Sequence, residues 1–181
     1  MDYNFDLQPT LENDLVKIVP IKENDFEKLF EVASDPLIWE QHPNKERYKR
    51  DVFLNFFNDA IESKGAFIIY DKNNTVIGSS RFYEYDKKKG IIFIGYTFLA
   101  RKYWGTDFNK SIKTLMLNHA FKYLDNVHFH IGENNIRSQK ATQKLGAIKI
   151  GEQDFGISES IRFVYRISKK DWLNKDISNH S

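Results

Sequence analysis

A chain of 181 residues, 41% hydrophobic and 15% aromatic, is long enough for one domain with a sizeable core and too apolar for a disordered segment. Its 27 basic and 25 acidic side chains leave a net charge of +2, which excludes the electrostatic footprint of a dedicated nucleic-acid binder. The absence of cysteine removes disulfides, thiolate zinc sites and cysteine nucleophiles together, and no metal site is expected.

Residues 1–12 are polar and unpatterned and read as a loosely attached arm. The start Met1–Asp6 lacks the basic and apolar pattern of a secretory signal, and no stretch reaches the roughly 18 apolar residues of a membrane span. The expectation is a cytoplasmic protein with no membrane partner, monomeric or homodimeric. Leu15–Ile21 predicts a first strand, ended or placed at an edge by Pro20. Asn24 or Asp25 can cap a helix that carries Phe26, Leu29, Phe30 and Ala33 on one face. That helix ends at Ser34-Asp35-Pro36, because the residue before proline is pushed out of helical geometry. An aromatic-bearing loop or short helix follows, and then a helix over 51–63 with Val52, Phe53, Phe56, Phe57 and Ala60 as its apolar stripe.

The period then changes from 3.6 to 2. Strands are expected over 66–70, 75–85 and 91–99, joined by the turns Asp71–Asn74 and Asp86–Gly90 as an antiparallel meander. Gly95–Leu124 organises the rest of the chain: a strand, the turn ARKYWGTD, and a helix with Ile112, Leu115, Met116, His119, Ala120 and Tyr123 on one face. Glycine at such a bend lets unpartnered N–H groups approach an anion, so Gly105 marks either a phosphate cradle or a plain turn capped by Thr106 or Asp107. Beyond it come a strand over 127–131, a short basic helix over 136–145 ended by Gly146, and a final hairpin over 148–155 and 160–167. The tail over 169–181 is polar apart from Trp172 and Leu173, and its end is expected to fray. The order predicts an α/β (α+β) domain over 13–168, with a mixed, mostly antiparallel sheet and one parallel pair bridged by the central helix.

Three segments carry a family resemblance: Ser34–Trp39; Ile94–Leu99 continuing into Tyr103-Trp104-Gly105-Thr106; and Asn135-Ile136-Arg137-Ser138 through Lys144-Leu145-Gly146. By their order and spacing the chain resembles the GNAT N-acyltransferase superfamily, and within it the branch containing the ribosomal-protein-alanine acetyltransferases. The resemblance implies acetyl-CoA as cosubstrate, a primary amine as acceptor, and a splayed central strand pair. It places the pantetheine arm against backbone groups of Phe98, Leu99 and Ala100, and the pyrophosphate on the turn Lys102, Tyr103, Trp104, Gly105, Thr106, Asp107 and Phe108. It assigns Asn135 and Ser138 to the cofactor, with Arg101, Lys102, Arg137, Lys140 and Lys144 as candidates around the phosphates, of which one or two are expected to make contact.

Three departures from the family pattern stand out. Asp107 stands where a glycine or alanine is usual and opposes a pyrophosphate. Thr142 stands where many relatives carry a tyrosine acid. Phe93 and Ile94 replace a cleft-facing glutamate. The candidate base is His130, with Glu84, Glu133 and Glu152 as alternatives, and Ser138 is a candidate donor to the thiolate. Trp39, His42, Arg47 and Tyr48 are expected to line the acceptor side. The expected function is acetyl transfer to a protein or peptide N-terminus or a small amine; the alternative is an acyl-CoA-binding or partner-binding module that has lost turnover.

Overall fold

The computed structural model describes residues 5–156 and 161–178. Eight strands form one sheet: β1 (Leu11–Glu12), β2 (Val16–Pro20), β3 (Ala66–Asp71), β4 (Val76–Asp86), β5 (Ile91–Leu99), β6 (Asn126–Gly132), β7 (Ile148–Gln153) and β8 (Arg162–Ser168). They lie in the order β1-β2-β3-β4-β5-β6-β8-β7. All neighbours are antiparallel except β5 and β6, the parallel pair that the central helix was expected to bridge. Five helices flank the sheet: α1 (Phe26–Ala33), α2 (Arg50–Glu62), α3 (Asp107–Ala120), α4 (Ile136–Lys144) and α5 (Lys169–Ser178).

Strand β3 shows why its sequence is a near-continuous apolar run. Phe67 and Ile69 point into one core with Ile112 and Met116 of α3. Ala66 and Ile68 point into a second core with Leu29 of α1 and Phe53 of α2. A strand covered on both faces has no polar alternation to display.

Four expectations need correction. The segment before β2 is no loose arm over its described part. Phe5 is buried in the core beside Phe82 and His119, and Leu11 and Glu12 pair with β2. His119 Nε2 donates to the Asp6 carbonyl at 2.8 Å and ties that segment to α3. The polar tail forms α5 as far as Ser178, anchored by Trp172, which is buried and donates from Nε1 to Asn118 Oδ1 at 2.7 Å; the end expected to fray, residues 179–181, lies outside the described residues. Neither Asn24 nor Asp25 caps α1 through its side chain; a 3-10 turn over Glu23–Asp25 precedes it, and the Asp25 carboxylate accepts from the Lys22 N–H instead. Helix α3 closes at Ala120, so Tyr123 lies beyond it and is exposed. The predicted start of the last strand, Ser160, falls outside the described residues. Among those residues no helix is long and apolar enough to cross a membrane.

Candidate active site

The parallel pair opens into a fissure. Residues 91–93 of β5 pair with residues 126–128 of β6, and the pairing stops there. From Ile94 to Leu99 the β6 side of β5 has no strand beside it among the described residues, while β6 continues against β8 as far as Gly132. Strand β5 is also bulged. Two steps on β4, from Ser79 to Arg81, face three on β5, from Phe98 to Gly95, and Tyr96 takes a left-handed φ of 52°. The result is a cleft of about 250 Å³. Its walls are the free edge of β5, the start of α3, the end of β6, the start of α4 and the loop after α1.

The turn into α3 has the chemistry of an anion cradle. Gly105 sits at φ 73°, and a side chain there would meet no neighbour, so backbone freedom rather than space requires the glycine. Thr106 caps the helix: its Oγ1 accepts from the Phe108 N–H and donates to the Tyr103 carbonyl. The N–H groups of Gly105, Thr106 and Asp107 bond to nothing among the described residues. Successive unpartnered donors at a helix start fit a diphosphate. Asp107 opens the helix with its side chain exposed, a carboxylate next to those donors.

Across the fissure, Asn135 caps α4 by accepting the Ser138 N–H on Oδ1 at 3.2 Å. Its Nδ2 and the Ser138 hydroxyl donate to no group among the described residues, and both residues line the cleft. Thr142 is buried in the same wall.

Other expected cofactor groups are already engaged. The Leu99 carbonyl receives the Trp104 indole N–H at 2.9 Å, and the Ala100 N–H bonds to Ile77. The Tyr103 hydroxyl donates to Asp71, and its ring packs in the core against Phe108. Arg101 is paired with Asp35. Arg137 spreads its guanidinium 3.7 Å over Trp104 and donates to the Ile38 carbonyl, so it clamps α4 to the loop after α1 rather than standing ready for a phosphate. Lys102 is exposed, near the Tyr103 ring.

On the acceptor side, Trp39 lines the cleft but is buried, with its indole N–H donated to the Ala33 carbonyl. His42 lines it too, its Nδ1 accepting from the Asn44 N–H and its Nε2 3.0 Å from Arg47. Burial, then the Arg47 charge, push the His42 pKa down to about 3, so this imidazole stays neutral at physiological pH. Tyr48 does not reach the cleft; it packs against the α1–α2 core, which corrects its expected place in acceptor binding. His130 does reach it. Its ring stacks on Phe93 at 4.3 Å, and Nδ1 is 3.3 Å from the Tyr83 hydroxyl. Burial and the nearby Arg162 lower its pKa, which keeps it neutral and able to accept a proton. Glu84, Glu133 and Glu152 do not line the cleft.

The sequence reading missed Lys113. It lies on α3, buried in the wall of the cleft, and donates to Thr97 Oγ1 at 2.5 Å and to Ser80 Oγ at 3.3 Å. Burial pushes its pKa down to about 7. The signal was present: Lys113, Met116, Leu117 and Ala120 share helical spacing, and all four are buried. Among the described residues the cleft is lined by Arg47, Lys113, Arg137 and Arg162 and by no aspartate or glutamate.

Residues 16–148 match the profile of an acetyltransferase (GNAT) domain. The chain belongs to the GNAT acetyltransferase family. Solved structures share the fold. An acetyltransferase of the GNAT family from Bacillus anthracis is 20% identical, with a TM-score of 0.74 over 90% of this chain and 99% of that one. The RimJ protein of Mycobacterium smegmatis, solved with CoA-disulfide, is 13% identical with a TM-score of 0.70, over 91% and 88% of the two chains. The spermidine N-acetyltransferase of Vibrio cholerae, solved with CoA and spermine, is 16% identical with a TM-score of 0.69, over 90% and 100%. A search of curated proteins returns no match.

Proposed function

We propose that this GNAT protein transfers an acetyl group from acetyl-CoA to a primary amine by direct attack. The observation that carries the reading is the fissure between β5 and β6, with unpartnered N–H donors at the start of α3 on one side and Asn135 and Ser138 on the other. Acetyl-CoA supplies an activated thioester. The α3 turn binds the diphosphate through Gly105, Thr106 and Asp107, and the β6-facing edge of β5 offers backbone groups to the amides of the pantetheine arm. Asn135 Nδ2 and the Ser138 hydroxyl are the remaining donors on the α4 side.

The acceptor nitrogen must be neutral to attack, and positioning in a narrow cleft supplies much of the rate. We assign proton acceptance to His130, which is held by Phe93 and Tyr83 and neutral near pH 7. His130→Gln is expected to lower kcat about a hundredfold while leaving CoA affinity unchanged; an unaltered kcat would remove His130 from this role.

The binding half of the reading is tested by calorimetric titration of acetyl-CoA into the wild-type protein, Asn135→Ala and Gly105→Val. Valine is strained at the left-handed φ of Gly105. Micromolar binding in wild type, lost in both variants, supports the assignment. Equal affinity in all three places the ligand elsewhere.

A second reading, a binding module without turnover, draws on Asp107 beside the diphosphate donors and on Thr142 in place of an acidic hydroxyl. It expects CoA binding with no acceptor-dependent thiol release for any amine.

A further inference from the structure

A second, smaller pocket of about 190 Å³ adjoins the cleft. Arg47 and Tyr96 line both, so one molecule can occupy the two spaces together. The smaller pocket is lined by Arg81 of β4, which is only 6% exposed. Its guanidinium is held by rings, 4.2 Å from the centre of Tyr96 and 5.6 Å from that of Phe56. Of the five N–H donors an arginine carries, the only bond made among the described residues is a long one from Nη2 to the Phe56 carbonyl at 3.5 Å. Its buried Nε has no partner, and no carboxylate comes within ion-pair distance of it among the described residues. Asp59, the one carboxylate lining this pocket, is exposed on α2 and acts on Arg81 only at longer range. Arg47 brings a second guanidinium to the pocket, 4.5 Å above the Phe56 ring.

A buried cation with unused, fork-shaped donors is costly unless an oxyanion completes it. We propose that this pocket receives the far end of the acceptor and that this end is a carboxylate: the substrate class is a primary amine carrying an acidic group at its other end. The inference rests on the acetyl-transfer reading and narrows it. The amine enters the main cleft beside His130, and the carboxylate passes Tyr96 to meet Arg81. The same charges disfavour a polyamine, whose second ammonium would face Arg81 and Arg47, and the main cleft offers it no carboxylate among the described residues.

The test uses acceptors that differ only at the far end: ω-amino acids, their neutral amides, alkylamines and α,ω-diamines, each over a series of chain lengths. Acetyl-CoA-dependent thiol release is followed, and each compound is also titrated into the protein with and without CoA, so that binding is read apart from turnover. At the best length the ω-amino acid is expected to exceed its amide about tenfold in kcat/KM and in affinity, with the diamine lowest. Arg81→Gln is expected to erase that preference, bringing the ω-amino acid down to the level of its amide. The proposal is overturned if the diamine equals or exceeds the ω-amino acid, if Arg81→Gln weakens all acceptors in proportion, or if no carboxylate binds to the CoA-loaded protein. Failure of CoA itself to bind the same samples would instead remove the acetyl-transfer reading. The wild-type comparison needs no variant, so a poorly folded Arg81→Gln protein leaves the proposal open to refutation.

Discussion

Lys113→Met is expected to be more stable than the wild-type protein at pH 7. The Lys113 amine loses its proton in the folded protein near pH 7, against an ordinary value of 10.5, because its buried site penalises the charge. Between those values the unfolded chain holds more protons than the folded one, so wild-type stability rises with pH across that window. Below about pH 7 the full penalty is present. At about 1.4 kcal/mol for each pH unit separating the two values, it has an upper bound of about 5 kcal/mol. Methionine suits the slot because it is unbranched and carries no charge. The two hydroxyls that Lys113 serves, on Ser80 and Thr97, lie 2.8 Å apart and keep each other as partners. The measurement is denaturant unfolding of both proteins from about pH 7 to about pH 10. Wild type should gain stability over that range and the variant should stay flat. Parallel profiles would show that Lys113 titrates like an exposed lysine. Above about pH 10 the buried phenols of Tyr83, Tyr103 and Tyr165 work the other way. Burial raises their pKa values, so both proteins lose stability there.

Gly78→Ala is expected to disrupt the fold at the edge of the site. An added Cβ would lie 1.9 Å from the Phe98 carbonyl oxygen, 2.9 Å from its carbon and 3.0 Å from Leu99 Cα. All three are backbone atoms, so no rotamer change relieves the clash, and Gly78 is paired directly with Leu99. Strands β4 and β5 must separate where β5 borders the cleft. A loss of about 4 kcal/mol is expected, together with loss of acetyl-CoA binding in the molecules that remain folded. Gly151→Ala is the control, since nothing lies within 4 Å of its added Cβ. It should change stability by less than about 1 kcal/mol. Chemical denaturation and calorimetry on both variants settle the matter; a Gly78→Ala protein as stable as the control would mean that the two strands can part without cost.

The parts of this molecule that were legible in the sequence are those with a strong local period. The 3.6-residue stripe of Phe53, Phe56, Phe57 and Ala60 and the unbroken run of β3 each announce their element, because burial of one face or two faces leaves a pattern in the chain. Strand β1 and helix α5 left none. The two residues of β1 pair with nearby Ile18 and Lys17 in a ladder too short to show a period, and the buried tryptophan of α5 owes its order to Asn118, 54 residues away. Lys113 escaped notice because lysine on a helix normally means a solvated face, and only the alternative stripe through Met116, Leu117 and Ala120 places it inside. Arg81 stands in a strand that is buried without a break from Ile77 to Phe82, and nothing local says that two aromatic rings enclose its head group. Arg137 meets Ile38 from 99 residues away, a distance across which composition carries no information. The same limit separated Tyr48, which packs into the α1–α2 core, from Trp39 and His42, which reach the cleft.

Two clasps close on the far end of α3, and they set the order in which the molecule can be finished. Asp6 is bonded to His119 across 113 residues, and Trp172 is bonded to Asn118 across 54. During synthesis the first clasp must wait for α3 to emerge, and the second must wait for the sheet to receive β8. Until residue 172 is available, the Phe121 side of α3 lacks the indole that packs against it. The helix whose start forms the anion cradle is therefore secured at its other end only once residue 172 has emerged. A nascent chain would gain its ligand-binding geometry late, after nearly all of its sheet is already in place.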